Sequence, residues 1–508
     1  MASGNAAPAP SLRRPLVLGL VATVAIVAGA LAGGRMFVST LPGAWFFGPT
    51  TSSAGAASQP PVFALIGVYG GIILLARAWL DLLRVSRSHR GMPVRRVAGV
   101  IAAWAVPLAI APPLFSRDLY SYAGQGEMVA HGISPYLYGT GVLGDTPFSI
   151  LPGPFWANTP SPYGPAFLWL DGLVTDLSHH QVLTDLVLLR LLAVASLAMA
   201  LWAVPVLARA AGRDAATAVV LALGSPLVLI TLVGGAHNDA VMLGLLLGGL
   251  AVARRYGTVA GIVLCALAAS VKAPALLAVL FLGWNWPGPA AGLTRRFGHA
   301  AAGCAIGLAT LSAVSWTTGL GWGWVRTATA PTKIITGITP VDSASRLLTN
   351  VAHLVGFGVG ASEVRTVVAT VALAAVVPLG GWLLWRSPEL GVERSLGLVL
   401  LALVLLGPIL WPWYLTWALA VLAATSGRWT RRAVITLAIG GTLVGAPDVV
   451  NAAHAFAATS LPGQLLLLLT LVVLALAPLR RPDTPGLDRA DVARARRDWA
   501  RPGWGPTK

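Results

Sequence analysis

This 508-residue chain reads as an all-α, polytopic membrane protein. Hydrophobic residues make up 56% of it and charged residues only 10%, and its mean hydropathy is +0.76. A soluble domain carries about 45–50% apolar and about 25% charged residues. Apolar runs of near-membrane length recur along the chain, against a hydrocarbon core about 30 Å thick. The alternating strands of a transmembrane barrel do not appear.

The elements follow in order. Arg13-Arg14 precede a first apolar run at 16–34, which is long and closes without a small-x-small cleavage site, so it reads as a retained signal-anchor helix. Helices at 61–83 and 97–114 follow, separated by residues 84–96 with five arginines and no acid, a cytoplasmic signature. Arg209 with Arg213, Arg254-Arg255, Arg295-Arg296, Arg386 with Arg394, and Arg428 with Arg431-Arg432 mark further cytoplasmic turns. The remaining helices fall at 185–208, 215–234, 240–253, 257–271, 273–286, 298–318, 363–385, 395–411, 413–426, 433–450 and 463–479. The sum is a bundle of about 13–14 transmembrane helices with both ends inside. The segments 240–253, 257–271 and 273–286 are short enough to include half-helices.

Polar stretches at 35–60, 115–184, 319–362 and 451–462 fall on the opposite, extracytoplasmic side. If the apolar run 163–177 inside the largest of them crossed, Arg209 and Arg213 would land outside, so it reads as re-entrant or interfacial. Residues 1–480 form one integral membrane domain, and 481–508 a basic, Pro-rich cytoplasmic tail with no packed core. The net charge of +17 comes from clusters between apolar runs. It speaks for membrane lipid contact and not for nucleic acid. Cys265 and Cys304 both lie in apolar runs, so no disulfide framework is indicated.

Residues that carry chemistry concentrate at a few places. At the end of the 97–114 run stand Arg117 and Asp118, followed by Tyr120 and Tyr122. An aspartate at a membrane exit can accept a proton from a hydroxyl, an arginine can hold a phosphate, and tyrosines can stack on sugar rings. An ordinary interfacial ion pair is the plain alternative. A helix at 119–131 places Glu127 and His131 at i,i+4 on one face. His237, Asn238 and Asp239 sit between two apolar runs, where they line a cavity or cap the helix beginning at Ala240. Lys272, one of three lysines, adjoins the helix-breaking Pro274 and either binds a lipid phosphate or snorkels to the interface. Arg326 and Lys333 in the 319–362 stretch are further phosphate candidates. Most tryptophans read as belt residues, but Trp411-Pro412-Trp413-Tyr414 is dense enough for a sugar-stacking or lipid-gripping wall. HExxH, DxD and paired Cys/His spacings are missing from the outer side, and His179-His180 reads as interfacial. No Walker A motif or dinucleotide fingerprint appears. The chemistry is therefore expected to use no metal, nucleotide or other cofactor.

The motifs Ser116-Arg117-Asp118-Leu119-Tyr120-Ser121-Tyr122, Gly132-Ile133-Ser134-Pro135-Tyr136, Ser161-Pro162-Tyr163-Gly164-Pro165, Gly235-Ala236-His237-Asn238-Asp239 and Val271-Lys272-Ala273-Pro274 occur in this order. Together they resemble the polyprenol-phosphate-mannose-dependent α-(1→6)-mannosyltransferases of actinobacteria. These GT-C-fold enzymes build the mannan backbone of lipomannan and lipoarabinomannan. The resemblance covers roughly residues 60–480. It implies a plasma-membrane enzyme with an extracytoplasmic site, a polyprenyl-phosphate mannose donor and a lipid-anchored mannan acceptor. It implies Asp118 as the functional aspartate of the first sizeable outer loop. The acceptor 6-hydroxyl would lose its proton to Asp118 in a single inversion, and Lys272, Arg117, Arg326, Lys333 and His237 would face the departing phosphate. Tyr120, Tyr122, Glu127, Tyr163, Asn238, Asp239, Trp411 and Trp413 would position sugar rings or the acceptor. Of the two paralogous types, acting on proximal and distal mannan, the chain is read as proximal. The rival classes are another glycosyltransferase, polymerase or ligase using lipid-linked sugar, a lipid or sugar transporter or flippase, and a non-catalytic scaffold. A transporter would be expected to show internal repeats, and none is evident.

Overall fold

The computed structural model describes residues 11–33, 62–328, 339–425 and 427–445. Among them the regular structure is all helix, with no strand. The principal helices are α1 (Arg13–Gly33), α2 (Val62–Ser88), α3 (Val94–Ile110), α4 (Asp118–Ala130), α5 (Pro165–Leu177), α6 (Val182–Ala210), α7 (Ala215–Leu223), α8 (Asp239–Arg255), α9 (Thr258–Ala269), α10 (Leu276–Asn285), α11 (Leu293–Thr317), α12 (Pro340–Leu354), α13 (Ala361–Leu390), α14 (Val392–Leu406), α15 (Leu415–Ala424) and α16 (Arg428–Gly445). Every expected span up to 433–450 has a helix at its place. The expected span 463–479, the stretches 35–60 and 451–462, the tail 481–508 and Lys333 lie outside the described residues.

Helices α1, α2, α6, α11 and α13 are long and apolar enough to cross a membrane singly, and α7 with residues 226–234 makes a sixth as a bent pair. In lipid a helix is the open-chain solution that pairs every backbone group internally. The apolar segments Thr258–Ala269, Ala273–Asn285 and Pro412–Ala424 are shorter. At about 1.5 Å per residue they reach about 20 Å, less than the hydrocarbon thickness, as half-helices do. α1 packs on α2 and α3, α6 on α8, α8 on α9, and α14 on α15.

Two breaks in these helices shape the site. The expected single helix 215–234 bends by 48° at Gly224-Ser225. Pro226 has no N–H to continue the ladder, and Ser225 caps the second half by accepting from the Val228 N–H at 3.3 Å. That half ends in a π-helical turn, Leu229–Gly234, a geometry frequent at functional sites. The second break separates α9 from α10, where Lys272 is extended (φ −151°, ψ 124°) ahead of Pro274.

Arg190 joins the first break to the rest. Buried in α6, it donates to the carbonyls of Ala109 at 2.9 Å and of Ala111 at the end of α3, and to the Gly234 carbonyl at 3.0 Å. Carbonyls at a helix end have no partner within their helix, so this one guanidinium serves two chain ends. α4 and α5 pack on each other and on α6. The 13 residues of α5 span only about 20 Å.

The arginine-rich turns collect at the other end of α3. The Gly91 N–H donates to Asp214 at 3.0 Å, and Arg87, Arg90, Arg213, Arg428 and Arg431 line one cavity of about 490 Å³. The 17 residues of α3 put some 25 Å between the two ends.

Arg190→Met should lower stability by about 3 kcal/mol, because buried carbonyls lose their donor. Thermal unfolding of the detergent-purified protein measures this. An unchanged Tm would mean that the carbonyls find other donors.

Candidate active site

Asp118 is the first residue of α4, and its backbone N–H donates to Ser116 Oγ at 3.1 Å. Its carboxylate is held from two sides. Trp156 Nε1 donates to Oδ1 at 3.3 Å, and His237 Nε2 lies 3.7 Å from Oδ2. The side chain remains 14% exposed, so a substrate hydroxyl can reach it. Burial pushes the carboxyl above the usual carboxylate range, and His237 and Lys272 partly oppose this.

His237 is fixed by its other nitrogen. Nδ1 lies 2.7 Å from the Thr231 carbonyl, which can only accept, so Nδ1 carries a proton and Nε2 faces Asp118. The ring stacks on Trp413 with centroids 4.0 Å apart, and Trp413 stacks on Trp411 at 5.0 Å. Ala236 (φ 49°) and Phe115 (φ 62°) are both left-handed without being glycine. Such local strain gathers at functional sites.

The residues after His237 turn to Lys272. Its ammonium lies 2.9 Å from both oxygens of Asp239 and 3.4 Å from Asn238 Oδ1. Asp239 is fully buried and also accepts from Trp417 Nε1. Asn238 Oδ1 accepts from the Tyr122 hydroxyl at 3.3 Å. Three rings face the ammonium, those of Tyr414 at 4.6 Å, Trp417 at 5.4 Å and Tyr163 at 5.6 Å. Tyr163 is placed by backbone pairing: the Gly164 N–H donates to the Val271 carbonyl at 3.0 Å and the Ala166 N–H to the Ser270 carbonyl at 3.1 Å. A Cβ on Gly164 would lie 2.2 Å from the Ser270 carbonyl oxygen, so only glycine permits this approach. Lys272 also lines a cavity of about 210 Å³, whose other walls include Leu373, Leu403, Val404, Ile409 and Tyr414. The site thus joins a carboxylate, an imidazole and an ammonium, with the ammonium at one wall of a mostly apolar hollow.

Comparison with known proteins gives this arrangement a family. The model of the alpha-(1->6)-mannopyranosyltransferase N-terminal domain matches residues 16–288, and that of the MptB C-terminal domain matches 342–478. The chain belongs to the alpha-(1->6)-mannopyranosyltransferase family. It is 32% identical over 448 residues to alpha-(1->6)-mannopyranosyltransferase A of Mycobacterium tuberculosis, covering 84% of this chain and 82% of that one. It is 31% identical over 455 residues to a probable alpha-(1->6)-mannopyranosyltransferase of Mycolicibacterium smegmatis, covering 82% and 80%. Alpha-(1->6)-mannopyranosyltransferase B of Corynebacterium glutamicum is 27% identical over 457 residues, covering 81% of this chain and 73% of that one. No solved structure matches the chain. As a member of this family the chain is a glycosyltransferase, and its helices make it a membrane protein.

In this mannopyranosyltransferase-family chain, Asp118, His237, Asn238, Asp239, Lys272, Tyr122, Tyr163, Trp411 and Trp413 form one connected cluster. Tyr122 is buried there and meets Tyr163 and Phe167 edge to face. Tyr120 is also buried and interacts electrostatically with Arg190 and Arg117. Arg117 is exposed and makes no ion pair with Asp118; its guanidinium lies against Gly153. The ion-pair reading is replaced because the Asp118 carboxylate faces His237. Asn238 does occupy the N-cap of α8, but its side chain makes no capping bond, having gone to Lys272 and Tyr122. Arg326 is exposed on the turn Gly323–Thr327, which Thr327 ties to the Ser161 carbonyl at 2.6 Å. Glu127 lies nine residues beyond Asp118, about 14 Å along α4, and bonds to His180 at 2.8 Å. Sequence reasoning missed Trp156, Trp417 and Arg190. Only Arg190 left a signal, as an arginine within an apolar run.

Gly164→Ala should push the Tyr163 loop off Lys272, at a cost of about 1–3 kcal/mol. A lower Tm together with a weaker glycosyl-transfer rate is the expected pair of readouts. A wild-type value for both would show that the Ser270 carbonyl yields without consequence.

Proposed function

We propose that this chain transfers mannose from a polyprenyl-phosphate carrier to the 6-hydroxyl of an α-(1→6)-mannan acceptor, with inversion, in lipomannan and lipoarabinomannan backbone synthesis. The observation that carries the reading is the partly exposed Asp118 carboxylate, linked through His237, Asn238 and Asp239 to a lysine at the wall of an apolar cavity. The names of the relatives supply the sugar and the linkage.

Asp118 accepts the proton of the attacking hydroxyl. His237 faces the same carboxylate, with Nε2 3.7 Å from Oδ2. The donor is a phosphodiester with one negative charge, and its leaving phosphate gains a second. No general acid is needed, and cations at the leaving group lower the barrier. Two of the Lys272 donors go to Asp239, while Asn238 at 3.4 Å holds the third most weakly. That third donor is the one a phosphate entering the cavity would take. Leu373, Leu403 and Val404 give the polyprenyl chain an apolar wall, and Trp411, backed by the buried Trp413, gives the sugars a stacking face. The arginine-lined cavity at the far end of α3 supports an extracytoplasmic site, because basic turns stay inside.

Asp118→Asn keeps the shape and removes the base. Transfer between a synthetic polyprenyl-phosphate mannose and a short α-mannoside should fall by about 10²- to 10⁴-fold. A near wild-type rate would exclude Asp118 as the base.

The base works only when deprotonated, and burial raises its pKa. The wild-type kcat/KM should therefore fall on acidification at a pH above the ordinary aspartate value of about 3.9. A pH–rate profile without that acid limb would contradict the assignment.

A further inference from the structure

We propose that Glu127, His131 and His180 form a binding site for one divalent transition-metal ion of the zinc class. The site stands apart from Asp118 and does not depend on the mannosyl-transfer reading. Glu127 in the last turn of α4 and His131, which caps the helix, stand one turn apart at i,i+4. His180 comes from the turn between α5 and α6. One donor atom from each of the three lies within 4.8 Å of the other two. His180 Nδ1 is 2.8 Å from Glu127 Oε2, and His131 Nδ1 is 3.5 Å from Glu127 Oε1. A tetrahedral ion with bonds of about 2.0–2.1 Å keeps its donors roughly 3.3 Å apart. The two histidine–glutamate pairs stand near that spacing, and the two imidazole donors lie within 4.8 Å of each other.

The donor set indicates the ion. Two imidazoles and one carboxylate suit zinc and its neighbours, whereas calcium and magnesium ask for oxygen alone. Asp176 and Asp185 both interact electrostatically with His180. Asp185 is fully buried, with Thr175 donating to one oxygen at 2.8 Å and no hydrogen-bond partner among the described residues at the other. His131 Nδ1 also lies 2.9 Å from the Glu127 backbone carbonyl, a contact it gives up when it turns its lone pair to a metal.

The backbone gives an independent observation. His179 and His180 are both left-handed, with φ 53° and 59°. The turn closes α5 through bonds from the His179 N–H to the Asp176 carbonyl and from the His180 N–H to the Thr175 carbonyl, both 3.1 Å. Glycine would serve such a closure without strain. Histidine there instead delivers an imidazole to Glu127, and strain of this sort marks functional positions. A bound ion would staple the far end of α4 to the α5–α6 turn, and so hold the helix whose first residue is Asp118. Three protein ligands leave a coordination position open to water.

The test uses the full-length protein in nanodiscs, stripped with a chelator, reloaded with ZnCl2 and desalted, with metal content read by mass spectrometry. One zinc per chain is expected in the wild type and in His179→Gly, which shares the turn but supplies no ligand. His131→Ala and His180→Ala should each bind zinc more than about a hundredfold more weakly, beyond the roughly 10–100-fold loss that follows when only a neighbour of a ligand is changed. Cobalt loading should give the visible absorption of a nitrogen–oxygen site in the wild type and in His179→Gly, and not in His131→Ala or His180→Ala. Absence of stoichiometric zinc from the folded wild type would overturn the proposal. So would equal zinc uptake by the wild type and by the combined Glu127→Gln, His131→Ala, His180→Ala variant.

Discussion

A buried ammonium and a buried carboxylate hold the active end of this bundle together. Lys272 sits at the break between α9 and α10, and Asp239 at the start of α8, 2.9 Å away. Neither charge is tolerable alone at such a place. Paired, they fix the turn before α8, so that His237 faces Asp118 and Asn238 reaches both Lys272 and Tyr122. The three rings around the ammonium and the Trp417 bond to Asp239 complete the compensation. A charge pair that a purely structural protein would replace with apolar packing is here beside a cavity and a candidate base.

Broken helices make this possible. A continuous helix at 215–234 or 258–285 would satisfy its own backbone and present only side chains to the interior. The breaks at Ser225-Pro226 and at Lys272-Ala273-Pro274 instead bring backbone and short polar residues inward. The exposed carbonyls are then served from within the protein, those of Ala109, Ala111 and Gly234 by Arg190 and those of Ser270 and Val271 by the Gly164–Ala166 backbone. Irregular backbone at membrane depth persists only under such cover. The π-turn and the left-handed Ala236 are the local strain that accompanies it.

Much of this was legible in the residues. Hydropathy placed the helices, because every apolar run up to 433–450 did become one. Arg117-Asp118, the residues 237–239 and Lys272 stood out because polar groups within oily segments are costly and need a reason. What periodicity could not show was partnership across the chain. Trp156 and Trp417 looked like two more tryptophans among nineteen, yet one donates to Asp118 and the other to the buried Asp239. Glu127 and His131 were visible as a helical pair, but their third member, His180, stands 53 positions from Glu127 and no local spacing connects them. The bend at Ser225 was missed because a long apolar run outweighed the proline inside it.

The account rests on the coupling between Lys272 and Asp239, and a double-mutant cycle measures it most directly. Thermal stability would be determined for Lys272→Met, Asp239→Leu and the double variant, all purified in the same detergent. Each single change strands a buried charge and should cost about 3–5 kcal/mol. The double variant strands none, so it should be at least as stable as either single one. Strictly additive losses would mean that the two groups do not depend on each other, and that something else sets the turn carrying His237.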